Sequence, residues 1–167
     1  MKKQLFFIAT TLVIIVTGCR KDNGDIPKMN VLSGGAESGK AWIISNFWVT
    51  STYCTADKSK PVKKDIQVTM PEVVKDNSYI IRPTGQVTVD EGDLRWDNTV
   101  TQYYEGQTWT LIENENRVEI YDPVNMPSIN GIFDISVSRN QIILYAKQID
   151  PNKIDFTETR IVFTSTR

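Results

Sequence analysis

Catalysis by a Ser-His-Asp or Cys-His arrangement needs an imidazole, and this chain of 167 residues has no histidine. The same absence removes the usual zinc sites, which lean on imidazole or on several thiolates. An enzyme here would have to work with carboxylates, Lys or Tyr; the chain also has two thiols, Cys19 and Cys54. The densest acidic cluster is Asp90, Glu91, Asp93 and Asp97, and hard oxygen donors that close together can hold calcium. Their order does not follow an EF-hand loop, and carboxylates around Gly92 are also what a solvated turn carries. A glycosidase pair meets in space rather than in sequence, and nothing singles one out here. The expectation is a non-enzymatic protein with no metal and no cofactor.

Cys19 has the more telling surroundings. Lys2 and Lys3 precede an apolar run over residues 5–16, the layout of a secretory signal and too short for a spanning helix, which needs about 20 apolar residues. Val16-Thr17-Gly18-Cys19 then sets an aliphatic residue and two small ones before a thiol. This resembles the bacterial lipoprotein signal. The resemblance implies that residues 1–18 are removed and that Cys19 becomes the N-terminus, carrying a diacylglycerol thioether and an amide-linked acyl chain. At about 0.8 kcal/mol per buried methylene, two or three such chains anchor a protein stably where one does not. With Cys19 acylated, Cys54 has no partner for an intramolecular disulfide and is expected to be a buried, inert thiol.

Of the 167 residues, 18 leave with the signal and 149 remain, enough for one domain with its own core. Losing Lys2 and Lys3 takes the net charge from −1 to −3. No basic stripe interrupts the rest, so nucleic acid is not an expected partner. Residues 19–39 are rich in Gly, Ser, Asp and Asn and read as an acylated N-terminus and flexible tether with a reach of about 25 Å. Cys19-Arg20-Lys21-Asp22 loosely resembles the short signals that send lipoproteins of Bacteroidetes to the outer face of the outer membrane. The same charges also suit a plain solvated tether, so the expected location is the outer membrane, lipid-anchored, with surface exposure left open.

From residue 40 to 167 short β-branched and aromatic runs alternate with turn clusters. Strands are expected over 41–52, 65–70, 78–83, 86–90, 108–112, 117–121, 132–137, 141–147 and 156–164. One helical turn fits within 71–77. Pro83-Thr84-Gly85, Asn114-Glu115-Asn116 and Ser138-Arg139-Asn140 supply the residues that tight reversals require. The expected fold class is all-β: an antiparallel up-and-down barrel of eight or nine strands, with a two-sheet β-sandwich as the alternative.

Gly39-Lys40-Ala41-Trp42 opens the first strand and Arg160 sits in the last. Together they resemble the lipocalin pattern, in which a Gly and a Trp close the barrel base and a late arginine lies over the indole. The similarity extends to lipocalin-like lipoproteins of Bacteroidetes, through Met70-Pro71, Lys75-Asp76-Asn77-Ser78-Tyr79, Gly85 and Asp90-Glu91-Gly92, and covers most of the chain from Gly39 on. It implies a lipocalin-like (calycin-like) barrel with Trp42 and Arg160 as the closing pair, and it implies no activity. The Gly-to-Trp spacing is one residue longer than usual, and the typical Thr-Asp-Tyr triplet is absent.

Aromatic residues are the expected binding groups. On strand parity Trp42, Ile44, Asn46 and Trp48 share one face, so if Trp42 plugs the base, Asn46 and Trp48 point inward above it, as ligand-facing side chains or as core. Trp109 shares a face with Leu111 and carries the same two readings. Trp96, Tyr103 and Tyr104 form either a surface platform for sugar rings or a rim that shields a loop. The expected function is binding of a small apolar or amphipathic ligand inside the barrel. The alternative is a surface accessory lipoprotein that binds glycans or a partner protein through exposed aromatics. Replacing Cys19 by Ala is expected to abolish fatty-acid incorporation; a variant that still takes up radiolabelled fatty acid contradicts the lipid anchor.

Overall fold

A computed structural model of the chain describes residues 26–52, 60–95, 101–123, 129–149 and 156–166. The expectations for Cys19, Cys54, Trp96 and Asp97 fall outside the described residues. Period-two alternation builds most of the molecule. In β8, Gln141–Ile149, Ile142 and Leu144 are fully buried while Gln141 is exposed. Its neighbours are β7, Gly131–Val137, and β9, Phe156–Ser165. Before them come β1, Lys40–Ser51; β2, Val62–Asp65; β3, Ser78–Ile81; β4, Gln86–Asp90; β5, Tyr103–Ile112; and β6, Arg117–Tyr121.

All pairings are antiparallel, and β9 returns to pair with β1, which also pairs with β3. Eight strands therefore close into a barrel, with β2 as an additional strand on β1. Closure removes the free edges that a two-sheet sandwich would leave. β5 begins at Tyr103, five residues before the expected start.

The barrel is filled from its base. Phe163 meets Tyr79 edge to face at 5.3 Å and Trp109 at 5.5 Å, the geometry that ring quadrupoles favour. Trp42, Ile81 and Val87 are buried in the same cluster. Below lies α1, Lys28–Ser33. The fully buried Leu32 accepts a 2.7 Å hydrogen bond through its carbonyl from Trp42 Nε1. The Lys28 amide donates to Glu115 Oε2 at 2.8 Å, holding the β5–β6 turn, where Glu113, Asn114 and Glu115 all have positive φ. The part of the expected tether from residue 28 to 33 is thus a docked plug. Gly39 turns the chain from plug to strand at φ +79°, where a Cβ would lie 2.7 Å from the Ile81 carbonyl, so only glycine fits.

Two local departures from the alternation pattern matter. Residues 65–70 read as a strand, but Asp65 caps a helical turn, accepting from the Val68 amide at 3.2 Å. The result is α2, Ile66–Thr69, followed after Pro71 by α3, Glu72–Lys75. A local side-chain acceptor outcompetes the ladder here.

The second departure lies in β1. Its register against β9 runs Ile44↔Phe163 and then Asn46↔Val162, so Ser45 is an extra residue, a β-bulge. Ser45 Oγ donates to the Val162 carbonyl at 3.1 Å. On its other flank β1 pairs with β3 up to Ile43 and with β2 only from Trp48. Gln67 Nε2 of α2 donates to the Ile44 carbonyl in that gap, at 3.2 Å. The extra residue reverses the facing of everything after it. Phe47 joins the interior cluster and Val49 packs against it, while Trp48 turns outward.

The reversal predicts which side chains of β1 carry stability. Phe47→Ala is expected to lower unfolding free energy by about 3–5 kcal/mol in urea titrations, and Trp48→Ala by much less; the opposite order contradicts the bulge.

Candidate functional site

Above the aromatic floor, at the end of the barrel away from α1, the bulge gathers an apolar lining. Phe47 and Val49 from β1, Phe133 from β7, Ala146 from β8 and Ile161 from β9 surround a cavity of about 180 Å³. Gln148, Thr159 and Asn130 add polar groups to its wall. The volume equals about six waters at their liquid share of roughly 30 Å³ each. It is below the range of about 300–1,000 Å³ usual for drug-sized ligands, so it suits a ring or a short branched chain.

Polar groups are also sealed inside the barrel. Tyr79 is fully buried, and its hydroxyl has no hydrogen-bond partner among the described residues. Burial, and secondarily the Asp122 carboxylate, raise its pKa well above that of an ordinary phenol. Gln107 Oε1 accepts from Trp109 Nε1 at 3.2 Å, while Gln107 Nε2 has no partner among the described residues. Asp122 takes the Ile129 amide at 3.3 Å, and Asn130 brackets it, accepting from the Asp122 amide at 2.6 Å and donating to its carbonyl at 2.8 Å. That bracket fixes the start of β7 at the cavity. Tyr104 is likewise raised, by burial first and then by its hydrogen bond to Glu91.

The residues expected from sequence are distributed by these constraints. Asn46 and Trp48 are not inward: the bulge sets them on the outer surface, where Lys63 Nζ lies 4.6 Å from the Trp48 ring centroid. Arg160 does not close the base over Trp42. Register places it opposite Trp48, 5.7 Å from that ring, whereas Trp42 faces Ser165. The cation over Trp42 is Lys40 instead, at 4.2 Å. Trp109 is 1% exposed and serves the floor. Tyr103 and Tyr104 do not share a platform: Tyr103 is 51% exposed, while Tyr104 packs against the interior cluster.

The acids around Gly92 act as loop caps. Asp90 Oδ1 accepts from the Gly92 amide and from Gln102 Nε2, and Asp76 Oδ2 accepts from the amides of Asp93 and Leu94. Among the described residues no group of three acids, histidines or cysteines is placed to hold a metal. Phe47 and Val49 were missed by parity alone. Their signal is the polar pair Ser45-Asn46, which breaks an otherwise apolar run from Trp42 to Val49.

The two raised phenols predict a pH dependence. A folded-state value above the unfolded one means that the stabilising contribution is whole below the ordinary phenol value of 10.0 and is lost as pH rises beyond it. Alkaline titration followed by tyrosinate absorbance should show Tyr79 ionising only as the barrel opens. Tyr79→Phe should leave stability at neutral pH unchanged or up to about 1 kcal/mol higher and flatten its alkaline decline; early ionisation of Tyr79 contradicts its burial.

Compared with protein-family models, curated proteins and solved structures, the chain matches none; its closed antiparallel barrel is compatible with a calycin-like fold on geometry alone.

Proposed function

We propose that this barrel binds a small amphipathic molecule at its open end and has a binding rather than a catalytic role. The observation that carries the reading is the cavity of mixed lining at the reversal of Ser45, with Phe47, Val49, Phe133 and Ile161 on one side and Asn130, Gln148 and Thr159 on the other. A ring or short branched chain seated there meets apolar side chains on one side, with any polar end reaching the amide and hydroxyl at the wall. A lipid anchor at Cys19 and a place on the outer membrane belong to the same proposal, supported by the signal-like N-terminus.

A second reading has its own support: Trp48 stands on the outer face with Lys63 and Arg160 against its ring, an aromatic and cationic surface of the kind that sugars or an acidic partner use.

Filling the cavity separates the two. Ala146→Leu adds bulk at the cavity wall and is expected to weaken binding of short-chain amphiphiles, followed by displacement of a fluorescent apolar probe, at least tenfold. Trp48→Ala is expected to leave it unchanged. Loss of oligosaccharide binding in Trp48→Ala, with no amphiphile bound by the unaltered protein, would replace the interior site by the outer one.

A further inference from the structure

At the closed end of the barrel a groove of about 950 Å³ runs between α1, the start of β1 and the β7–β8 turn. Its apolar wall includes Ile26, which is 69% exposed, and Val31. The charged residues along it are Lys40 and Arg139, both cations. They lie together, since Lys40 Nζ donates to the Arg139 carbonyl, and no carboxylate pairs with either among the described residues. Desolvation first and the Arg139 charge second hold the Lys40 ammonium below the usual lysine value, as expected of like charges that face each other without an anion.

Chain length fixes what this end approaches. Ile26 follows Cys19 by seven residues, a span of about 25 Å fully extended and about 15 Å as a coil. A ten-residue strand such as β9, tilted as barrel strands are, carries the opposite end about 25 Å further off.

We propose that the groove is a docking surface for an anionic bilayer, taking a phospholipid headgroup phosphate at Lys40 and Arg139 with Ile26 and Val31 set into the interface. Its position near a membrane rests on the anchor reading; its chemistry rests on the two cations and the apolar wall. In this orientation the ligand cavity faces away from the membrane.

The test uses the protein as purified from cells, with acylation at Cys19 scored separately by mass spectrometry. It is mixed with vesicles of phosphatidylcholine, with or without phosphatidylglycerol. Amide exchange over residues 34–41 and 137–139 should slow with the anionic vesicles only, and added salt should reverse the effect. Arg139→Glu changes an exposed side chain and should abolish the slowing while an acylated chain stays with the vesicles. Preference for the anionic vesicles should fall at least about fivefold, the usual worth of one basic residue at such a surface. Equal exchange with both vesicle types, or slowing that survives in Arg139→Glu, overturns the proposal. Slowing in a chain that carries no acyl group supports the groove and refutes the anchor; an acylated, vesicle-bound chain without slowing does the reverse.

Discussion

Between Ile44 and Asn46 one residue too many must fit opposite β9, and strand pleating leaves a single way to absorb it: the side chains beyond exchange faces. The rest of the architecture answers to that slip. Ser45 Oγ ties the bulge to Val162, and Gln67 takes the carbonyl of Ile44 where β1 passes from β3 to β2. Helix α2 is therefore a partner for backbone that no strand covers, which explains why an alternating stretch is helical there. Below the slip, Trp42 and Ile44 fill the base; above it, Phe47 and Val49 line the open end and Trp48 faces out to Lys63 and Arg160.

The two ends of the barrel differ in consequence. The base is closed by α1, fixed through the Leu32 carbonyl to Trp42 and through the Lys28 amide to Glu115. The upper part keeps a small cavity lined by apolar side chains and by amide and hydroxyl groups. In the proposed reading such an arrangement holds a small molecule by exclusion of water. The proposed anchor at Cys19 would set the cationic groove at the base toward the membrane and leave the cavity on the solvent side.

Much of the fold was legible in the sequence. Strand periodicity and turn chemistry mark β4 and β6 to the residue, and Pro83-Thr84-Gly85 and Ser138-Arg139-Asn140 each join the strands they separate. Closure was readable as the favoured arrangement of sequential antiparallel strands, although the proof is the β1–β9 ladder, a contact that sequence alone does not contain. The candidate site was less legible because it turns on one residue. Ile43 and Ile44 are both apolar, so the run from Trp42 to Val49 fits either face, and the polar pair Ser45-Asn46 that marks the slip is passed over by parity alone. Arg160 was misplaced for the same reason: its partner follows from register, which sets it six residues along β1 from Trp42. Helix α1 was hidden by composition, since a Gly- and Ser-rich segment reads as tether until Trp42 supplies a donor for Leu32.

Thiol accessibility along β1 tests the reversal most directly. In a chain with Cys19→Ala and Cys54→Ser, single cysteines are placed at Asn46, Phe47, Trp48 and Val49 and reacted with a water-soluble maleimide under native conditions. The account predicts fast labelling at positions 46 and 48 and labelling at least tenfold slower at 47, with 49 protected further when a short-chain amphiphile is present. Slow labelling at 46 and 48 with fast labelling at 47 and 49 would mean unbroken alternation, and would return Asn46 and Trp48 to the barrel interior.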